Sequence, residues 1–185
     1  MKFLSEKIAL ERLHTLQTTF AEKVRERYEH RAKSCLTCET PGACCLDAHF
    51  VNVRISRLEA RLIEKTLQKL PEQKRNEIYE RIERSVEEYG LSEGGEVFEQ
   101  TFACPLFEKG TGCFVHNEGK RLPCIHHACY ERQEDLPPDE LLINQEICVN
   151  ELNIKTYGGH PQWLPLPVAL LIDSPEFPTR DRHRD

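Results

Sequence analysis

Cysteines crowd the stretch CLTCETPGACC, as Cys35-x-x-Cys38 followed by the adjacent pair Cys44 and Cys45. A Cys-x-x-Cys step lets two thiolates converge on one ion, a half-site common in zinc and iron–sulfur proteins. Pro41-Gly42 suits the two central positions of a type II turn, which would fold the second pair back toward the first. Side chains on neighbouring residues diverge, most clearly in a strand, so two adjacent thiolates are poorly placed for one tetrahedral ion. The expectation is that one of the two serves this site. The other then reaches a second metal, or another iron of a cluster. A vicinal disulfide is the rival reading, disfavoured by its strained geometry and by a reducing compartment.

A second cysteine region runs from Val97 to Tyr130. Cys104-Pro105 begins it, Lys109-Gly-Thr-Gly112 makes a turn, and Cys113 returns on the far side. Two short strands joined in this way would face Cys104 toward Cys113. Arg121-Leu-Pro-Cys124 and Ile125-His-His-Ala-Cys129 add two more thiols and two imidazoles. The expected metal ligands are therefore Cys35, Cys38, Cys44, Cys45, Cys104, Cys113 and Cys124, with Cys129 provisional. That is enough sulfur for two mononuclear four-sulfur sites, or for one cluster and a further metal. His126 and His127 read as packing or ligand-supporting groups, and His14, His30 and His160 have no nameable partner. Cys148 falls on the apolar stripe of a helix and reads as a small core residue. Glu93, Glu96 and Glu99 read as solvated charges. There is no phosphate loop, nucleophile elbow or His-Glu-x-x-His helix, so no catalytic residue is assigned and enzymatic activity stays open.

The elements that must position these groups are mostly helices. Residues 3–31 carry Leu13, Leu16, Phe20, Val24 and Tyr28 at three- and four-residue spacing, which predicts a long amphipathic helix. After the first cysteine loop, residues 49–55 alternate and predict a short strand. Ser56 and Glu59 have capping-box spacing, so a helix starts there, with Leu58, Leu62, Ile63, Leu67 and Leu70 inward. Pro71 opens a third helix that buries Ile78, Ile82, Val86 and Tyr89 and stops at Gly90. A further helix starts after Asp135-Leu-Pro-Pro, buries Leu141, Leu142, Cys148, Val149 and Leu152, and ends at Gly158-Gly159. Residues 161–172 are apolar but proline-rich and predict an extended segment. The expected fold is mainly α with small irregular β elements, a single domain organised around two cysteine-rich loops. Its parts are an N-terminal amphipathic helix (1–34), the cysteine-cluster region (35–130), a C-terminal helix and extended apolar segment (131–172), and a mobile tail (173–185).

Composition narrows the class. The chain of 185 residues is long enough for a core that needs no covalent staples. Its cysteine count of 9 is odd, which argues against a closed disulfide framework. Charges interrupt every apolar stretch of the N-terminus, so no signal-peptide core is expected, and no later run is long enough to span a membrane. A cytoplasmic location is the expectation. The net charge of −6 has both signs interspersed, which gives no footprint for nucleic acid. A protein partner of unspecified identity is expected instead.

The order of motifs resembles a known family. Cys35-x-x-Cys38, Cys44-Cys45, Cys104-Pro105-Leu106, Gly112-Cys113-Phe-Val and Arg121-x-x-Cys124 together resemble the bacterial cysteine-cluster proteins with a CxxCxxCC signature, described as zinc- or iron-chelating. Val53-Arg-Ile-Ser-Arg-Leu-Glu59 is similar to that family's step from strand to helix after the double cysteine. The resemblance covers residues 35–130. Two departures stand out: five residues separate Cys38 from Cys44. The family's Arg-Pro-x-x-Cys is here Arg121-Leu-Pro-Cys124, which weakens any role carried over to Arg121. The resemblance implies metal binding and little about a reaction. Flagellin lysine methylases carry a similar signature and an iron–sulfur cluster, but nothing here reads as a substrate or methyl-donor site.

The leading expectation is a metal-binding protein with an iron–sulfur centre, or zinc or iron, in a redox, modification-related or metal-handling role. Adjacent thiols suit a polynuclear centre, whereas ribbon-type zinc sites use separated Cys-x-x-Cys pairs. One alternative is a structural zinc protein whose helices bind a partner. The other is a thiol oxidoreductase using Cys35 and Cys38, although that motif normally opens a helix beside a parallel sheet.

Overall fold

A computed structural model describes residues 3–33, 42–46, 51–96, 99–130 and 132–173. Cys35 and Cys38, residues 49–50 of the expected strand, and the tail beyond Asp173 lie outside them.

The first helix, α1 (Glu6–Arg27), is capped by Ser5, whose hydroxyl accepts the Ile8 N–H. It buries Leu10, Leu13, Gln17, Phe20 and Val24. It ends before the predicted limit: Tyr28 leaves the helical region, and a single 3₁₀ turn at Glu29–Arg31 leads into β1 (Ala32–Lys33). A one-turn helix, α2 (Ala43–Leu46), carries the adjacent cysteines. The expected strand over 49–55 is reduced to β2 (Arg54–Ile55), which gives way at Ser56 to α3 (Arg57–Leu67). The capping box is present in both directions: Ser56 Oγ accepts the Glu59 N–H, and Glu59 Oε2 accepts the Ser56 N–H at 2.9 Å.

Then come α4 (Glu72–Glu88), the hairpin strands β3 (Phe107–Glu108) and β4 (Gly112–Cys113), α5 (Leu122–His126) and β5 (Cys129–Tyr130). The chain closes with α6 (Asp139–Tyr157), β6 (Leu164–Pro165) and α7 (Leu166–Asp173). All sheets are antiparallel pairs: β1 with β5, β2 with β6, and β3 with β4. The fold is mainly α with small β elements, as the sequence predicts.

Helix α3 is the centre of the core. Leu58 and Leu62 pack with α1, α5 and α6, whereas Ala60, Ile63 and Leu67 pack with α4 and α7. Two apolar clusters thus meet across one helix, and each fully buried aliphatic side chain contributes roughly 1.5–3 kcal/mol.

Two sequence expectations fail. Residues 161–172 are extended only as far as Pro165, and α7 follows. Pro167 falls in the first turn of α7, where its missing N–H removes no helical bond. The α7 run also lacks periodicity, because Leu166, Val168, Ala169 and Leu170 are all buried, and a helix enclosed on every side shows no polar face. Cys148 is not a core residue; it is exposed. The buried line of α6 passes through Val149 and Asn153, and Cys148 lies one residue, about 100°, round from it.

Candidate metal centre

The two cysteine regions are joined by main-chain bonds. The Cys104 N–H donates to the Cys45 carbonyl at 2.7 Å, and Phe102 N–H donates to the Val51 carbonyl at 3.0 Å. At the other end Lys33, which precedes the first loop, pairs with Cys129 in the β1–β5 ladder.

Each cysteine is placed by a local device. Gly42 has φ +82°, the left-handed conformation that the second central residue of a type II turn requires. Its carbonyl accepts the N–H groups of Cys45 and Leu46, which winds α2. A side chain at Gly42 would also run into the Phe107 ring, so this glycine lets the first loop approach the hairpin. In the hairpin Cys113 faces Phe107 across β3–β4, not Cys104 as the sequence predicts, because the ladder begins only at Phe107; Gly110 and Gly112 carry the positive φ of the turn. Cys124 lies on α5, three residues after Arg121. The displaced Pro123 sits in the first turn of that helix, where it is tolerated as well as it would be one residue earlier.

Cys44, Cys45, Cys104, Cys113 and Cys124 line one cavity of about 770 Å³. The described residues around it include His116, His126, His127, Lys120 and Arg121, but no Asp or Glu. Cys44 is exposed and the other four are half-buried; no disulfide joins Cys44 to Cys45. Because the pair sits on a helical turn rather than a strand, both thiols reach the same cavity. Cys129 and Cys148 do not line it. His126 is buried, with Nε2 3.3 Å from the Pro138 carbonyl, and acts as a packing group.

Electrostatics at the thiols follows from burial. Desolvation, with the neighbouring Cys44, Cys124 and Cys113, pushes the Cys45 thiol up to about 12. Burial and Cys113 push Cys124 up to about 11, against the opposing pull of Arg121 and Lys120. Cys104 and Cys113 are raised as well, chiefly by burial. The imidazoles of His116 and His127 are shifted down, first by burial and then by cationic neighbours that include Lys120.

Sequence reasoning missed the charge beneath the thiols. Arg121 and Glu59 are each 1% exposed, with Nη1 3.3 Å from Oε1. Arg121 Nε and Nη2 both donate to the Gly119 carbonyl. Glu59 was legible only as a capping residue; its second oxygen meets an arginine that the chain supplies sixty-two residues later. No local pattern encodes that pairing.

The donor chemistry suits a thiophilic metal, since sulfur surrounds the cavity and hard carboxylate ligands are missing from its described wall. Lys120 and Arg121 supply positive charge beside what would become an anionic thiolate centre. Among the described residues, however, no three His, Cys, Asp or Glu side chains form a group able to hold a metal ion. Cys35 and Cys38, the other two cysteines of the first loop, lie outside the described residues.

No protein-family model, curated protein or solved structure matches the chain.

Proposed function

We propose that the protein holds a multi-cysteine metal centre, an iron–sulfur cluster in preference to zinc alone. The carrying observation is the convergence of five thiols from three separated segments on one cavity with no carboxylate in its described wall. Cys44, Cys45, Cys104, Cys113 and Cys124 would hold the group, with Cys35 and Cys38 completing the set. Bound there, it would supply electron transfer or a Lewis-acidic metal for modification chemistry. The protein's own residues hold the thiols in register and set Lys120 and Arg121 against the thiolate charge.

Five thiols exceed the four of one closed zinc site, and the adjacent Cys44 and Cys45 suit a polynuclear centre, which spreads its ligands over several metal atoms. The resemblance to the CxxCxxCC proteins, and a cytoplasmic location where thiols stay reduced, belong to the same reading. The deciding experiment is purification without oxygen. Brown protein containing iron and acid-labile sulfide, bleached by air or dithionite, is expected. Colourless protein with near-stoichiometric zinc, from cells given ample iron, would falsify the iron–sulfur assignment.

That second outcome supports the structural zinc reading. One observation favours it: Ile143 and Ile147 project from α6 at 50% and 52% exposure, as an interaction face would. The dithiol oxidoreductase reading rests on Cys35 and Cys38, which lie outside the described residues, and the raised cavity thiols offer it no second dithiol of the lowered-pKa kind such enzymes use.

A further inference from the structure

We propose that a second cavity, between α1 and the loop leading into α5, binds a free α-amino acid with a hydrogen-bonding side chain. The cavity has a volume of about 320 Å³, at the small end of the range for ligand sites. Gln17 contributes to its lining and is only 5% exposed. Both its amide nitrogen and its amide oxygen are buried, and among the described residues neither has a hydrogen-bond partner. On α1 it occupies a core position between Leu13 and Phe20, where an aliphatic residue would pack at no polar cost. An unsatisfied buried polar group costs about 1–3 kcal/mol. Among the described residues nothing bonds this amide, whereas a ligand in the cavity would.

The charges on the walls define the ligand class. Arg25 and Glu29 pair with each other at 4.0 Å. Glu22 on α1 and Lys120 on the opposite loop also line the cavity, and among the described residues neither has an ion-pair partner. A simple anion would meet the Glu22 carboxylate, and a simple cation would meet the Lys120 ammonium. A zwitterion satisfies both, with its ammonium on Glu22 and its carboxylate on Lys120. Its side-chain amide or hydroxyl then reaches Gln17, whose donor and acceptor pair with the matching edge of a carboxamide.

His116, Asn117, Lys120 and His127 line this cavity and the thiol cavity alike, so a bound amino acid would lie against the proposed metal centre. None of the binding contacts requires a metal, and the test does not depend on one. The full chain, as purified and with its metal content measured in parallel, is titrated calorimetrically with L-glutamine and with inorganic phosphate. L-Glutamine is expected to bind with a dissociation constant at or below about 1 mM, and phosphate far more weakly. Gln17→Leu should weaken glutamine binding at least about tenfold while leaving the melting temperature unchanged or raised, because it removes an orphaned amide. Glu22→Gln and Lys120→Gln, on accessible walls, should each weaken binding about tenfold in folded protein. The assignment is overturned if folded protein takes up no glutamine, if phosphate binds as tightly, or if Gln17→Leu binds normally. A fall in melting temperature for Gln17→Leu would equally overturn it, since the amide would then be serving the fold.

Discussion

Cys44 and Cys45 both reach the thiol cavity, yet they differ: Cys45 is half-buried with a raised pKa, and Cys44 is exposed. Replacing Cys45, Cys104, Cys113 or Cys124 by Ser should lower metal content measured by elemental analysis. Cys44→Ser should also lower it if the pair serves two metal atoms. Cys148→Ser is the control and should retain all the metal, because Cys148 is exposed on α6 away from the cavity. The thiols also set an alkaline limit. Their ordinary value is 9.0, and the fold raises Cys124 to about 11 and Cys45 to about 12. The folded metal-free protein therefore keeps these protons longer than the unfolded chain does. Its stability from this source is complete below pH about 9 and declines as pH rises toward 11–12. Metal ligation removes the same protons beforehand, so the metal-loaded form should lack this alkaline loss, and metal affinity should fall as pH falls. Melting temperature against pH, with and without metal, reads both effects.

The buried Arg121–Glu59 pair belongs to the scale of elements, because it fastens the start of α5 to the start of α3. Arg121→Met removes the ion-pair partner of the buried Glu59 carboxylate, which keeps only its Ser56 bonds, and should cost about 3–5 kcal/mol in urea unfolding. Replacing both partners, as Arg121→Met with Glu59→Gln, should cost less than the sum of the single changes, because neither then strands a buried charge. The same contact bears on the metal centre, since Arg121 is electrostatically coupled to Cys124 and Cys113. Helix α2 and the β3–β4 hairpin are similarly interlocked, through the Cys104–Cys45 main-chain bond and the Gly42–Phe107 approach. Gly42→Ala is therefore expected to separate them and to reduce metal uptake, even though no ligand is changed.

At the scale of the whole molecule, α3 ties the two apolar clusters together, so neither half is independent of the cysteine regions. Leu67→Ala, at a fully buried position on α3, should destabilise the protein by about 2–5 kcal/mol. Chelation should act differently. It should loosen residues 42–46 and 99–130 together, because binding between distant segments is coupled to their folding. Hydrogen exchange before and after metal removal measures this, and unchanged protection in both regions would count against a shared centre. The second half of α3, with Ile63 and Leu67 fully buried, should keep its protection through that treatment.

The amino-acid sequence alone determined what depends on neighbours along the chain. The capping box at Ser56 and Glu59, the helix stop at Gly90 and the gathering of cysteines in two regions were all legible from types and spacing. So was the mainly helical class, because amphipathic spacing is a local record of which face is buried. Tertiary structure decided what depends on partners far away. It turned residues 166–173 into a helix, since a segment enclosed by apolar neighbours has no polar face to reveal its period. It moved Cys148 to the surface, because a stripe broad enough to read as apolar is buried only along its centre. It set Arg121 against Glu59 and buried the Gln17 amide with no partner among the described residues, although Gln17 reads in sequence as an ordinary polar residue. Pairings of this kind arise only when helices pack, and sequence spacing carries no record of which side chains then meet.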